Sequence, residues 1–176
     1  MSNENADELF NIAVEAYNRE DYNKAFSNFK KAAKQGHAEA QTKLAQCYKF
    51  GDGVKQNYFK TVEWLLKAVE QNHAEAQYNL AEHYYRGLGD GALDIDYAKA
   101  GELYLKSAEN GNADAQMSIG IYYYNALGGF AKDKNKAFEW WLKAAEQGEV
   151  IAKNKLEYTH KKEFEKWKER RMRNEE

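Results

Sequence analysis

The chain of 176 residues has no proline, a single cysteine and a net charge of only −2. Without proline, it lacks the residue that interrupts helices most strongly. Because Cys47 is alone, no disulfide can form within the chain, and a reducing compartment is favoured. The balanced charge gives the surface no general attraction for nucleic acid. We therefore expect neither a disulfide-stapled domain nor a protein that binds nucleic acid.

Long apolar runs are missing as well. No stretch approaches the roughly 20 apolar residues that a membrane-spanning helix needs. The opening segment, MSNENADELF, has neither the basic region nor the apolar region of a secretory signal. We expect a cytoplasmic protein that binds no membrane.

The most informative feature that is present is a recurring phrase. KAFSNFKKAAKQG ends at Gly36, and related segments end at Asn72, Gly111 and Gly148, at intervals of 36, 39 and 37 residues. A second phrase follows each of the first three, and it reads HAEAQTKLAQCY, HAEAQYNLAEHY and NADAQMSIGIYY. A period in this range is typical of stacked-repeat proteins, whose units bury their apolar faces against their neighbours.

The spacing inside each unit indicates helices. Apolar residues and alanines recur at steps of three and four, as in Leu44, Ala45 and Tyr48. Glycine or asparagine at each unit's end supplies the left-handed residue that commonly ends a helix. The sequence predicts an all-α fold of four antiparallel helix pairs and a final helix from about residue 150. The predicted pairs cover residues 6–35, 37–71, 74–110 and 113–147.

The pattern A-x-A-x-x-x-L-A-x-x-Y-x-x-G-x-G, followed by K-A-x-x-W-x-x-K-A-A-x-x-G, resembles the Sel-one-like repeat, a relative of the tetratricopeptide repeat. The first unit, with EDYNKAFSNFKKA, is more similar to a plain tetratricopeptide repeat. The resemblance implies a right-handed α-solenoid that forms one domain over residues 1–176. The expected units are a tetratricopeptide-like repeat at 6–36, Sel-one-like repeats at 37–72, 73–111 and 112–148, and a capping helix with a charged extension at 149–176.

Three features could carry chemistry, and each lacks the pattern that its chemistry requires. The glycine clusters that begin at Gly51 and Gly87 have neither the preceding strand nor the Lys-Ser/Thr of a phosphate loop, so we interpret them as turns. No two histidines have the spacing of metal ligands. Cys47 has no identifiable base and is interpreted as a packing residue. We expect no metal, no cofactor and no enzyme activity.

In tetratricopeptide-like solenoids the first helix of each pair lines a concave groove, and the resemblance implies that this protein binds a protein or peptide there as an adaptor or scaffold. Nine of the twenty aligned groove positions are apolar or aromatic, which favours an interaction site. Alternatively, tight curvature buries several of them against adjacent repeats. Glu82 and Arg86 would set the register of the partner by charge. The predicted groove residues are Phe10, Val14, Tyr17, Phe50, Tyr78, Glu82, Tyr85, Arg86, Met117, Ile121 and Tyr124.

The final helix is predicted to continue through EFEKWKERRMRNEE, with Phe164 and Trp167 on one face. These two rings would either form a second exposed surface, for a partner or for self-association, or pack against the last unit. The oligomeric state, monomer or assembly, is left open. A more specific alternative, taken from the family resemblance, is a bacterial immunity protein that binds and neutralises a toxin or effector enzyme.

Overall fold

A computed structural model describes residues 5–89 and 91–166, and in this part of the chain helices follow one another in consecutively packed pairs. A further helical turn covers 161–166. The predicted all-α solenoid of four helix pairs and a capping helix is confirmed. None of the described helices is long and apolar enough to cross a membrane. The helices are α1 Ala6–Asn18, α2 Tyr22–Lys34, α3 Ala38–Phe50, α4 Tyr58–Glu70, α5 Ala74–Arg86, α6 Tyr97–Glu109, α7 Ala113–Asn125, α8 Lys134–Glu146 and α9 Val150–Thr159.

Polar side chains fix where these helices begin. The residue before each helix accepts a hydrogen bond from a backbone N–H of the first turn, which has no partner within the helix. His37 and His73 do this with Nδ1, which accepts from the N–H of Ala40 at 3.1 Å and of Ala76 at 3.3 Å. These two histidines are therefore helix caps. The capping residues are Asn5, Asp21, His37, Asn57, His73, Asp96, Asn112, Asp133 and Glu149.

The core of each pair combines a large side chain on the second helix with a small one on the first. Phe29, Leu65, Tyr104 and Trp141 are buried at equivalent positions of α2, α4, α6 and α8. The largest of these side chains, Trp141, lies against Gly120, where an added Cβ would overlap the indole nitrogen. That nitrogen donates to the carbonyl of Met117 at 3.1 Å, which fixes the ring's position.

Buried glutamines connect consecutive units. Gln41 donates to the carbonyl of Ala33 at 3.2 Å, at the end of the preceding unit, and accepts from Gln71 at 2.8 Å, at the end of its own. Gln116 is bonded in the same way and accepts from Gln147 at 2.9 Å. Each such glutamine thus ties the ends of two second helices to one first helix.

The junction between the second and third units is a variant of the same arrangement. Asn72 takes the left-handed position, with φ of 60°, that glycine takes at other unit ends. Its side-chain oxygen accepts from Gln77 at 2.8 Å, and Gln77 accepts from Asn110 at 2.9 Å. We call Gln41, Gln77 and Gln116, with these partners, the amide ladder.

The prediction of one continuous final helix is wrong. The α9 helix ends at Thr159, and His160 has a non-helical φ of −137°. The next turn carries Phe164 into the core beside Trp141 and Leu156, where the ring is only 3% exposed. Phe164 therefore packs against the last unit and does not form an exposed second surface. Trp167, predicted with it, lies outside the described residues.

Candidate functional site

The residues predicted to bind a partner lie on α1, α3, α5 and α7, and we call the surface of these four helices the first-helix face. Three large rings of the set are exposed there: Tyr17 by 39%, Phe50 by 63% and Tyr85 by 36%. Arg86 is exposed as well. Consecutive units thus each present an aromatic side chain to solvent.

The other predicted groove residues are half-buried and pack in part against neighbouring side chains. The Phe10 ring stacks on His37 with centroids 4.6 Å apart, and Tyr78 lies 5.9 Å from Tyr104. Part of the surface of these side chains is therefore buried against neighbouring residues, as the alternative interpretation expected. Their role in binding stays a prediction. This half-buried set is Phe10, Val14, Tyr78, Glu82, Met117, Ile121 and Tyr124.

A depression of about 310 Å³ lies where α1 and α2 meet α3. Tyr17 is fixed at its edge by donating a hydrogen bond to Asp52 at 2.8 Å, and this bond, with burial, raises the pKa of Tyr17 to about 12. The mixture of apolar floor and polar edge suits an apolar side chain of a partner. The lining residues are Val14, Tyr17, Asn18, Phe29, Lys43 and Gln46.

Glu82 and Arg86, predicted to set register by charge, form an ion pair with each other at 2.8 Å. Glu82 also accepts a hydrogen bond from the hydroxyl of Tyr104, and burial together with this bond raises the pKa of that tyrosine. A charged group of a partner that bound Glu82 would have to compete with Arg86, and one that bound Arg86 would have to compete with Glu82. Farther along the face, burial and the nearby Glu149 raise the pKa of Asp114.

A second cavity, of about 120 Å³, lies between α3 and α5 and is floored by Leu65 of α4. We call it the α3–α5 cavity. Burial, together with the nearby cations Lys49 and Arg86, lowers the pKa of His83 to about 4. Sequence reasoning missed this site. It is lined by Ala45, Gln46, Lys49, Phe50, Leu65, Asn79 and His83.

The other candidates for chemistry are packing features. Burial raises the pKa of the Cys47 thiol to about 12, so the thiolate that a nucleophile requires is scarce at neutral pH. Among the described residues, no group of three or more His, Cys, Asp or Glu side chains is arranged to hold a metal ion. Gly51 and Gly87 have positive φ values of 86° and 75°, which agrees with their interpretation as turn residues.

Four segments of the chain match the Sel1 repeat, at residues 18–37, 38–73, 74–112 and 113–149. The chain belongs to the Sel1 repeat family. The resemblance stated from the sequence is confirmed. Sel1 repeat proteins are generally scaffolds for protein interactions, and the fold is generally non-catalytic.

Two solved Sel1 repeat structures are similar to this chain, each at 31% identity. One is c5321, a protective antigen present in uropathogenic Escherichia coli strains, with a TM-score of 0.81 over 89% of this chain and 34% of that one. The other is a Sel1 repeat protein from Oxalobacter formigenes, with a TM-score of 0.74 over 80% of this chain and 56% of that one. The chain thus spans about a third and about half of their lengths.

Helicobacter pylori cysteine rich protein B is similar in fold alone, at 23% identity and a TM-score of 0.55, over 73% of this chain and 95% of that one. Among curated proteins, none matches the chain.

Proposed function

We propose that this Sel1 repeat protein is a non-catalytic adaptor that binds a protein or peptide on its first-helix face, in the cytoplasm. The observation that carries the proposal is the exposure of Tyr17, Phe50 and Tyr85 on the first helices of three consecutive units. Full burial of a side chain of this size contributes about 1.5–3 kcal/mol, and each ring would contribute the share that corresponds to its exposed fraction. Tyrosine is also enriched among the residues that dominate binding energy.

The surroundings of these rings favour a segment that runs across several units. The depression beside Tyr17 offers an apolar floor for one side chain of the partner. Beyond it, charges of both signs alternate along the face, with Lys43 and Lys49 on α3, Glu82 and Arg86 on α5, and Asp114 on α7. Such a pattern favours a bound segment whose own charges complement it.

The test is capture of partners from the native cell on the immobilised protein, followed by affinity measurement with the captured partner. Phe50→Ala and Tyr85→Ala are compared with Phe59→Ala, a matched control because Phe59 on α4 is also 63% exposed but lies off the first-helix face. We expect each groove variant to lose about 2 kcal/mol or more of binding free energy. The control should bind like the unchanged protein.

Equal affinities for all three variants, with folding intact, would refute the assignment of the face. The captured partner also decides between the two roles suggested by the resemblance. A single enzyme, bound tightly and inhibited, would support toxin neutralisation, whereas non-enzymatic partners would support an adaptor.

A further inference from the structure

The α3–α5 cavity lies on the first-helix face beside Phe50, and its size limits what can enter. Its 120 Å³ is about four times the ~30 Å³ that one water occupies in the liquid. That space accommodates a carboxyl group with its adjoining methylenes.

Two polar side chains that line this cavity make no hydrogen bond to a described residue. His83 is only 6% exposed, whereas Asn79 is half-buried. The amide nitrogen of Asn79 is enclosed and likewise has no partner among the described residues. Buried polar groups are nearly always hydrogen-bonded. Two such groups lining one cavity therefore favour a ligand that offers them a hydrogen-bond acceptor.

The charge at the cavity indicates the sign of that ligand. Lys49 lines it and forms no ion pair with a described residue, and none of the described lining residues is acidic. The carboxylate of Glu82, which acts on Lys49 from nearby, is already bound by Arg86 and Tyr104. A site with a cation and two unpaired polar side chains favours an anionic acceptor, because hydrogen bonds to charged groups are the strong ones.

We propose that the α3–α5 cavity binds the side-chain carboxylate of an aspartate or glutamate of the partner. Lys49 supplies the charge, and the Asn79 amide and the His83 ring N–H donate hydrogen bonds to the carboxylate oxygens. The inference rests on the proposed function. Tyr17 on α1 and Tyr85 on α5 lie on either side of α3, so a segment contacting both passes over the cavity instead of ending there. For this reason we assign a side chain and not a chain terminus.

The test uses small probes and no partner. Nuclear magnetic resonance follows the side-chain amide of Asn79 and the ring of His83 while N-acetylglutamate α-amide is added. N-acetylglutamine α-amide is the neutral isostere, and N-acetylalanine carries a terminal carboxylate. Binding of a probe this small is weak, but it should be saturable. We expect the glutamate probe alone to shift both residues' signals.

Lysine variants test whether the probe binds in this cavity or is attracted only by the positive charge of α3. Lys49→Met should weaken binding of the glutamate probe by about tenfold or more, because a charge-assisted contact is lost. Lys43→Met is the control, since Lys43 is also on α3 but pairs with Glu75 at 3.2 Å and does not line this cavity. It should leave the affinity unchanged.

Three results would overturn the proposal. An equal response to the glutamine probe would exclude recognition of charge. A response only to N-acetylalanine would exclude a side chain as the source. The absence of any shift at Asn79 and His83 would exclude the site. None of these depends on the capture experiment with Phe50 and Tyr85, so failure of this proposal and failure of the proposed function can be told apart.

Discussion

The buried histidine predicts how the stability of this protein depends on pH. In the folded protein the pKa of His83 is about 4, lowered by burial from its ordinary value of 6.5. Between these two values the unfolded chain binds a proton that the folded protein does not. The free energy of unfolding should therefore fall as the pH decreases from about 6.5 towards 4. The full contribution of the neutral ring is present only above the unfolded-state value.

The two pKa values set the size of the effect. Protonation of the unfolded chain at this one residue should remove about 2 kcal/mol of stability between pH 7 and pH 5, and about 3 kcal/mol by pH 4. A loss of this size is a large part of the 5–15 kcal/mol that typically stabilises a domain. It should be readily measurable.

The assay is urea unfolding at pH 7, 6 and 5, for the unchanged protein and for His83→Gln. Carboxyl groups titrate in both proteins, so their common effect cancels in the difference between the two curves. We expect the stability advantage of the unchanged protein over the variant to shrink by about 2 kcal/mol between pH 7 and pH 5. Parallel curves, or a ring signal of His83 that titrates near pH 6.5, would refute the reasoning.

Three further predictions concern packing. Gly120→Ala should lower the free energy of unfolding by about 2 kcal/mol, because the new methyl overlaps the Trp141 indole. Adding Trp141→Tyr should restore part of this loss, because the third helix pair has alanine and tyrosine at the same two positions. Phe164→Ala should cost about 3 kcal/mol by urea unfolding and leave the mass in solution unchanged, because the ring is core and not an assembly surface. The Cys47 thiol should react with a disulfide reagent far more slowly in the native protein than in urea, because it is buried and its pKa is raised.

Each of these has a result that contradicts it. The packing of Gly120 against Trp141 is wrong if the double variant is no more stable than Gly120→Ala alone. A change of oligomeric state on substitution of Phe164 would show that this ring takes part in an assembly surface. Native Cys47 that reacts as fast as the unfolded thiol would show that the region opens readily.

The repeat pattern alone predicted the bounds of the four helix pairs to within a few residues, because the signals are local. Histidine or asparagine caps, alanines at helical spacing and a left-handed residue such as Asn72 all act within one unit. The final helix was harder to predict. Helical spacing placed Phe164 on a face, but nothing in the sequence marked the break at His160 that turns this ring into the core.

The α3–α5 cavity could not be predicted from local pattern. Lys49 lies on α3 and Asn79 on α5, so only the packed solenoid brings them together. His83 occupies the repeat position that Cys47 and Tyr122 occupy in neighbouring units, and all three are buried, yet sequence cannot tell whether a buried ring has a hydrogen-bond partner. The exposed rings Tyr17, Phe50 and Tyr85 were in the predicted groove set, but the sequence did not separate them from the half-buried members.

The amide ladder has a consequence for how such chains change in length. Gln41 and Gln116 make equivalent bonds at different junctions, so a unit bonded in this way could be inserted or lost without leaving either glutamine unpaired, whereas Gln77 depends on the preceding Asn72. Duplication or deletion of such a unit would therefore disturb the interior little, whereas an insertion of a few residues within a helix would break the bonding. The 39-residue interval between Asn72 and Gly111 shows where extra residues are accommodated, in the turn between the two helices of a unit and away from Gln77. Gain or loss of such a unit is thus a way in which this solenoid could change its length without a redesign of its interior.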